Sequence, residues 1–124
     1  MNWKFTADRP VYQQIMETVR GSILTGEWQP GQKVPSVREL AALAGVNPNT
    51  MQRAMTELER EGILIGGGTN GKTVTTDKTV LEALRKSTLN ALAIECATKF
   101  AIFGVTPTQA AQLLLMLEND KEEN

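Results

Sequence analysis

The chain lacks histidine entirely and has a single cysteine, Cys96, among its 124 residues. Without histidine, histidine-based acid–base catalysis and most zinc sites are excluded. One cysteine cannot build an intramolecular disulfide framework and fits a reducing compartment. Its position in a helical stretch with Ala, Ile and Thr indicates a small buried side chain, with a redox sensor as the alternative. We therefore expect a protein that is not an enzyme and has no catalytic residues, metal site or cofactor.

Long apolar runs are also missing. No apolar segment of the sequence has the length of a membrane span, and residues 1–4 are not followed by the apolar stretch of a signal peptide. These two features favour a cytoplasmic protein.

The most informative segment is the block of residues 35–62, which predicts two helices joined by a tight turn. Ser36 and Glu39 form a capping-box pattern at the start of the first helix, and Gly45 is placed to end it. Asn47 is placed to cap the second helix, with Pro48 at its first position.

The second helix of this block has two different faces. Its apolar stripe consists of Met51, Ala54, Met55 and Leu58. The opposite face is polar and basic near the N-terminal end, as in a helix that enters a DNA major groove. The predicted DNA-binding residues of the block are Ser36, Arg38, Asn47, Asn49, Thr50, Gln52 and Arg53. On spacing alone, an ordinary helical hairpin with a solvated polar face is the alternative.

The flanking segments favour a larger DNA-binding unit. A helix is predicted over residues 11–25, and two short β-type runs at residues 63–65 and 72–76 flank a glycine-rich turn. Helix, helix-turn-helix and hairpin in this order predict a winged helix-turn-helix. Its wing would offer Thr69, Asn70 and Lys72 to DNA.

Several of these motifs resemble the N-terminal domain of GntR-type transcriptional regulators. The resemblance is carried by residues 10–15, 26, 30–31, 35–41, 46–50 and 57–62. The Asn-Pro-Asn-Thr turn and the short C-terminal segment are similar to the YtrA subfamily.

This resemblance implies a DNA-binding repressor, with a transporter operon as its target. It also implies that Arg38, Asn49, Thr50 and Gln52 contact DNA, with Ser36 and Arg53 in support. The wing departs from the family pattern, because it lacks an aromatic residue and has Lys72 as its one basic residue. We therefore expect recognition to rest mainly on residues 36–53.

Residues 66–73 match the P-loop pattern G-x-x-x-x-G-K-[ST], so a nucleotide-binding enzyme is the alternative function. A P-loop requires a helix that begins at Lys72 and Thr73, with its N-terminus facing the phosphates. The residues that follow, Val74 to Thr76, are β-branched and favour a strand instead.

Basic charge is scarce for a DNA-binding protein, since 13 Lys/Arg and 14 Asp/Glu give a net charge of −1. Residues 1–78 contain nine Lys/Arg and eight Asp/Glu, and residues 79–124 contain four Lys/Arg and six Asp/Glu. We place Glu57, Glu59 and Glu61 at the far end of the second helix of the block, away from the DNA. The balance predicts modest non-specific affinity and a dependence on dimer binding.

The C-terminal segment is predicted to be a helical hairpin after a linker at Asp77 and Lys78. One helix covers residues 79–103, about 37 Å long, and Gly104 ends it. Thr106 and Gln109 form a capping box at the start of the next helix, and residues 120–124 are expected to fray.

These two helices are more apolar than a lone hairpin can bury, which predicts a twofold homodimer. The expected dimer contacts are Leu81, Leu84, Leu92, Phe100 and Leu114. The alternative is that the hairpin caps its own winged domain. The segment lacks the polar cluster of a metabolite pocket, so a small-molecule effector is unidentified and a ligand-free architectural DNA binder stays open.

The sequence therefore predicts a mainly α fold with a small β-hairpin. Its expected domains are a winged helix-turn-helix at residues 1–76 and a dimerisation segment at residues 77–124.

Overall fold

Five α-helices and one β-hairpin make up the part of the chain that the structure describes. This part is the backbone of residues 1–123, with the side chains of residues 1–69 and 71–120, in a computed structural model. In chain order the elements are α1 (Val11–Leu24), α2 (Val37–Ala44), α3 (Pro48–Arg60), β1 (Leu64–Gly66), β2 (Lys72–Val74), α4 (Lys78–Ile102) and α5 (Pro107–Glu123). The predicted fold class is confirmed.

The core of the winged domain is built around α3. Its predicted apolar stripe is at most 1% exposed, and it packs with apolar side chains of α1 and α2, including Ile15, Val19 and Leu40. Burying a side chain of the size of Leu or Met contributes about 1.5–3 kcal/mol. The stripe therefore fixes α3 firmly in the domain and fixes which of its faces points outward.

The turn between α2 and α3 follows the predicted capping pattern. Gly45 has φ 69° and ψ 34°, the left-handed conformation that glycine adopts without a Cβ penalty. Both its N–H and that of Val46 donate to the carbonyl oxygen of Ala41. Asn47 then caps α3, and Pro48 occupies its first turn. On α2, Leu40 and Ala41 are buried, whereas Leu43 is exposed.

The wing is an antiparallel hairpin in which Leu64 pairs with Val74 and Gly66 with Lys72. β1 is shifted by one residue from the predicted run at 63–65, and β2 ends two residues before the predicted run at 72–76 does. A 3₁₀ turn at Gly68–Asn70 forms part of the connection between the strands. The segment before α2 lies along the other edge of β2. There the N–H of Val34 donates to the Lys72 carbonyl at 2.9 Å and the N–H of Val74 donates to the Gln32 carbonyl at 3.0 Å. These bonds tie the wing to the chain that leads into α2.

The first compact unit of the chain is Met1–Arg85, which includes the first two turns of α4. We expected a linker at Asp77 and Lys78, but this expectation is wrong. Asp77 Oδ1 accepts a hydrogen bond from the N–H of Thr79 and caps α4. Leu84 is 6% exposed and belongs to the core of this unit, and Leu81 packs against that core. The expected dimer contact at Leu84 is therefore corrected, since its side chain is buried within a single chain.

The second compact unit begins at Lys86 and comprises the rest of α4 with α5. The predicted capping box is present: the N–H of Gln109 donates to Thr106 Oγ1, and the N–H of Thr106 donates to Gln109 Oε1. Leu92 and Leu114 are 58% and 51% exposed, and Phe100 is partly exposed. The backbone of α5 stays helical to Glu123, so four of the five residues expected to fray are helical, and Asn124 lies outside the described residues.

Candidate nucleic-acid interface

The N-terminus of α2 is capped by the side chain of Ser36, which exchanges two hydrogen bonds with Glu39. Ser36 Oγ accepts from the N–H of Glu39 at 3.1 Å and donates to Glu39 Oε1 at 3.2 Å. This arrangement satisfies one backbone donor at the start of the helix and leaves Arg38 exposed on its first turn. The Ser36 side chain therefore serves as the helix cap, and Arg38, two residues later on the first turn of α2, is exposed to solvent.

The N-terminus of α3 is fixed in a similar way. Asn47 Oδ1 accepts from the N–H of Asn49 at 2.8 Å, so the side-chain oxygen of Asn47 is used by the cap. Asn49, Gln52 and Arg53 are exposed on the side of α3 opposite the buried stripe, and we call these three residues the reading face. Thr50, also predicted to contact DNA, is half-buried beside them.

One edge of the reading face is bounded by α1. The guanidinium carbon of Arg53 lies 3.8 Å from the centroid of the Tyr12 ring, within cation–π distance. Tyr12 is half-buried on α1. These two residues lie 41 positions apart in the sequence, so no local spacing predicts their contact.

The other edge of the reading face is bounded by the wing. An open cleft of about 710 Å³ lies between the wing, the start of α2 and α3. Its lining includes Ser36, Gln52 and Lys72, which we predicted as DNA-binding residues, and also Lys33 and Glu59. Lys33 adds a basic side chain that the sequence analysis missed, and the bridge between Lys33 and Thr73 of the wing could not be read from the sequence pattern.

Lys72 is engaged within the protein. Its Nζ lies 3.3 Å from Glu59 Oε2, and the two side chains are 20% and 41% exposed. Glu59 is therefore beside the wing and not remote from the interface, which corrects our placement of that acid. A Cβ at Gly66 would meet the Glu59 carboxylate, so glycine leaves room for that side chain in the position that it occupies here.

All three acids at the C-terminal end of α3 are in ion pairs. Glu57 pairs with Arg60 at 3.0 Å, Glu59 with Lys72, and Glu61 with Arg20 at 2.9 Å. The negative charge of this helix is thus compensated locally. Local pairing reduces the repulsion that these three acids would exert on a phosphate backbone.

The structure places the predicted residues in one region of the first unit but not in one pocket. Ser36, Gln52 and Lys72 line the wing cleft. Arg38, Asn49 and Arg53 are exposed on α2 and α3, and the Asn47 side chain serves as a cap. Of the predicted wing residues, Thr69 is exposed in the cleft, and the side chain of Asn70 lies outside the described residues.

The P-loop alternative does not fit the backbone. Lys72 and Thr73 lie in β2, paired with Gly66 and Ile65 of β1, where a P-loop needs the first turn of a helix. The glycine-rich segment is the connection of a wing. Among the described residues, no group of three or more His, Cys, Asp or Glu side chains is arranged to hold a metal ion.

Within the described residues no individual helix combines the length and apolar composition of a membrane span, and α4 with α5 meets those criteria only as a pair bent by 105°.

The fold and the interface define a winged helix-turn-helix domain with an exposed polar recognition helix. The family model of bacterial regulatory proteins, gntR family, matches residues 11–74, a little over half of the chain. The chain therefore belongs to the gntR family.

Comparisons with individual proteins agree with this assignment. The HTH-type transcriptional repressor YtrA of Bacillus subtilis (strain 168) is 51% identical over 55 residues, which are 44% of this chain and 42% of that protein. The alignment thus spans less than half of that relative. The similarity confirms the predicted resemblance to the YtrA type.

Two solved structures share the fold. A GntR family transcriptional regulator from Listeria monocytogenes has a TM-score of 0.83 and 32% identity, covering 90% of this chain and 98% of that chain. AraR(DBD), in complex with operator ORR3, has a TM-score of 0.52 and 29% identity, covering 60% of this chain and 88% of that chain.

Proposed function

We propose that this chain is a transcriptional repressor that binds a pseudo-palindromic DNA operator as a homodimer in the cytoplasm. The reading face carries the proposal. Asn49, Gln52 and Arg53 are exposed on a helix whose opposite face is fully buried and whose N-terminus is capped. Such a helix can enter a major groove without rearrangement of the domain.

The side chains of the reading face have the chemistry of base recognition. The amide groups of Asn49 and Gln52 can each donate and accept, which matches adenine in the major groove. Arg53 can donate two parallel hydrogen bonds to guanine or to a phosphate. Arg38, exposed at the start of α2, is placed to contact the DNA backbone next to the groove and so to fix the register.

The apolar surface of the second unit supports the homodimer. Large apolar side chains on α4 and α5 are exposed in the single chain: Leu89, Leu92, Ile94, Ile102, Phe103, Leu113, Leu114, Leu115, Met116 and Leu117. Monomeric proteins rarely leave so many neighbouring apolar side chains in water. A second copy would cover them with the same surface, and twofold symmetry would match two half-sites of an operator.

Repression follows from occupation of the operator. The Bacillus subtilis relative is named a repressor, which supports the sign of regulation proposed here. The target would be a transporter operon, as the YtrA resemblance implies. A small-molecule effector is not required by this mechanism, since a dimer on its operator blocks transcription sterically.

Footprinting of the purified protein on genomic DNA fragments tests the proposal. We expect protection of an inverted repeat, and a mass in solution of two chains. Gln52→Ala should reduce the preference for that repeat, whereas Gln112→Ala, an exposed glutamine of α5, should not. Protection without sequence preference would support the ligand-free architectural binder instead, and the absence of protection would contradict DNA binding altogether.

A further inference from the structure

The stacking of Arg53 on Tyr12 distinguishes this arginine from the other basic side chains near the interface. The two side chains come from different helices, and the ring lies 3.8 Å from the guanidinium carbon. The Tyr12 hydroxyl accepts a hydrogen bond from Gln13 Nε2 at 3.3 Å. The ring face, and not the hydroxyl group, is therefore what meets Arg53.

Stacking uses the flat face of a guanidinium and leaves its N–H donors at the edge. An ion pair would instead occupy those donors with carboxylate oxygens. Glu57, one turn after Arg53 on α3, is paired with Arg60 at 3.0 Å. Within the described part of the chain, no carboxylate lies within ion-pair distance of Arg53. Its donor edge is thus kept for another acceptor, whereas the ammonium of Lys72 is held by Glu59.

We propose that Tyr12 is a positioning residue for DNA recognition, whose ring holds the Arg53 guanidinium with its donor edge available to DNA. This inference rests on the proposed function. A long arginine side chain loses conformational freedom when it binds, and a partner that restricts it beforehand lowers that cost. Tyr12 would therefore contribute to affinity and base preference without touching DNA.

A double-mutant cycle on the operator fragment tests this role. The proteins compared are the wild type, Tyr12→Phe, Tyr12→Leu, Arg53→Ala and the double variant Tyr12→Leu/Arg53→Ala. Phenylalanine keeps the ring face and is the matched control, so its affinity should stay within about twofold of the wild type. Leucine removes the stack and should weaken operator binding about three- to tenfold. In the Arg53→Ala background the same leucine change should have an effect of less than about twofold.

Base preference provides a readout that a purely structural role would not move. Tyr12→Leu and Arg53→Ala should relax the preference at the same base pair of each half-site. If Tyr12→Leu lowers the melting temperature, pentafluorophenylalanine at position 12 replaces it, because this residue keeps the ring shape and removes its attraction for a cation. It should weaken binding as leucine does.

The outcomes separate this inference from the proposed function. If Arg53→Ala weakens binding and the leucine and pentafluorophenylalanine variants bind like the wild type, the positioning role is wrong and DNA recognition stands. If the leucine effect is equally large without Arg53, the role of Tyr12 is also wrong. If the wild type shows no operator preference, the proposed function itself fails.

Discussion

Replacing Glu59 by glutamine should strengthen DNA binding. Lys72 Nζ is 3.3 Å from Glu59 Oε2, so the charge of the lysine expected to reach DNA from the wing is neutralised within the domain. Glutamine has nearly the shape of glutamate but lacks the charge that holds an ammonium. The substitution should therefore release Lys72 toward a phosphate and remove one negative charge from the wing cleft.

The size of this effect follows from the exposure of the pair. Both side chains are partly exposed, and such ion pairs are worth about 0.2–1 kcal/mol. At 25 °C the upper value corresponds to roughly fivefold in affinity. One additional phosphate contact per protomer should also steepen the dependence of log K on log salt by about 0.9.

Fluorescence anisotropy with a labelled operator duplex, titrated between about 50 and 200 mM salt, measures both quantities. Glu95→Gln is the matched control, because it removes the same charge and breaks a similar pair, with Lys99 at 3.1 Å, in the second unit. The control should leave the affinity and the salt slope nearly unchanged. Unchanged or weaker binding of Glu59→Gln, with an unaltered salt slope and melting temperature, would refute the idea that Lys72 reaches DNA.

Four other substitutions test the DNA contact of Arg38, the cap of α2, the dimer surface and the core position of Leu84. Arg38→Ala should weaken operator binding by about 1–3 kcal/mol in the same anisotropy assay, and unaltered affinity would exclude Arg38 from the interface. Ser36→Ala should lower the free energy of unfolding by about 1 kcal/mol in urea titrations, since it removes the α2 cap; an unaltered value would show that this cap contributes nothing. Leu92→Asp should give a folded monomer by light scattering, whereas Leu84→Asp should unfold the first unit by circular dichroism. A folded Leu84→Asp protein would contradict the core position of that leucine.

Most of the fold of the first unit could be predicted from local signals. The caps at Ser36 and Asn47, the left-handed Gly45 and the apolar stripe of α3 are set by residues that are neighbours in sequence. Each of these features requires particular residue types at short spacing, so the helix boundaries follow from the sequence. The wing was also predictable, although its exact strand ends were not.

The features missed by the sequence analysis depend on contacts between distant residues. The pairing of Glu59 with Lys72 needs the hairpin to fold back beside α3, and the stacking of Tyr12 on Arg53 needs α1 to pack there. Leu84 was predicted to lie in a dimer surface. Its apolar spacing on α4 is the same whether the side chain packs within one chain or against a second chain. A periodic apolar stripe shows that a face is covered but not which element covers it.

The exposed apolar surface of the second unit has a consequence for how the regulator would respond to its own abundance. If two chains must associate to cover that surface, dimer concentration at low abundance rises with the square of the chain concentration. Halving synthesis of the protein would then reduce the DNA-competent species to roughly a quarter. Repression would consequently switch over a narrow range of expression, even with no small molecule to control it.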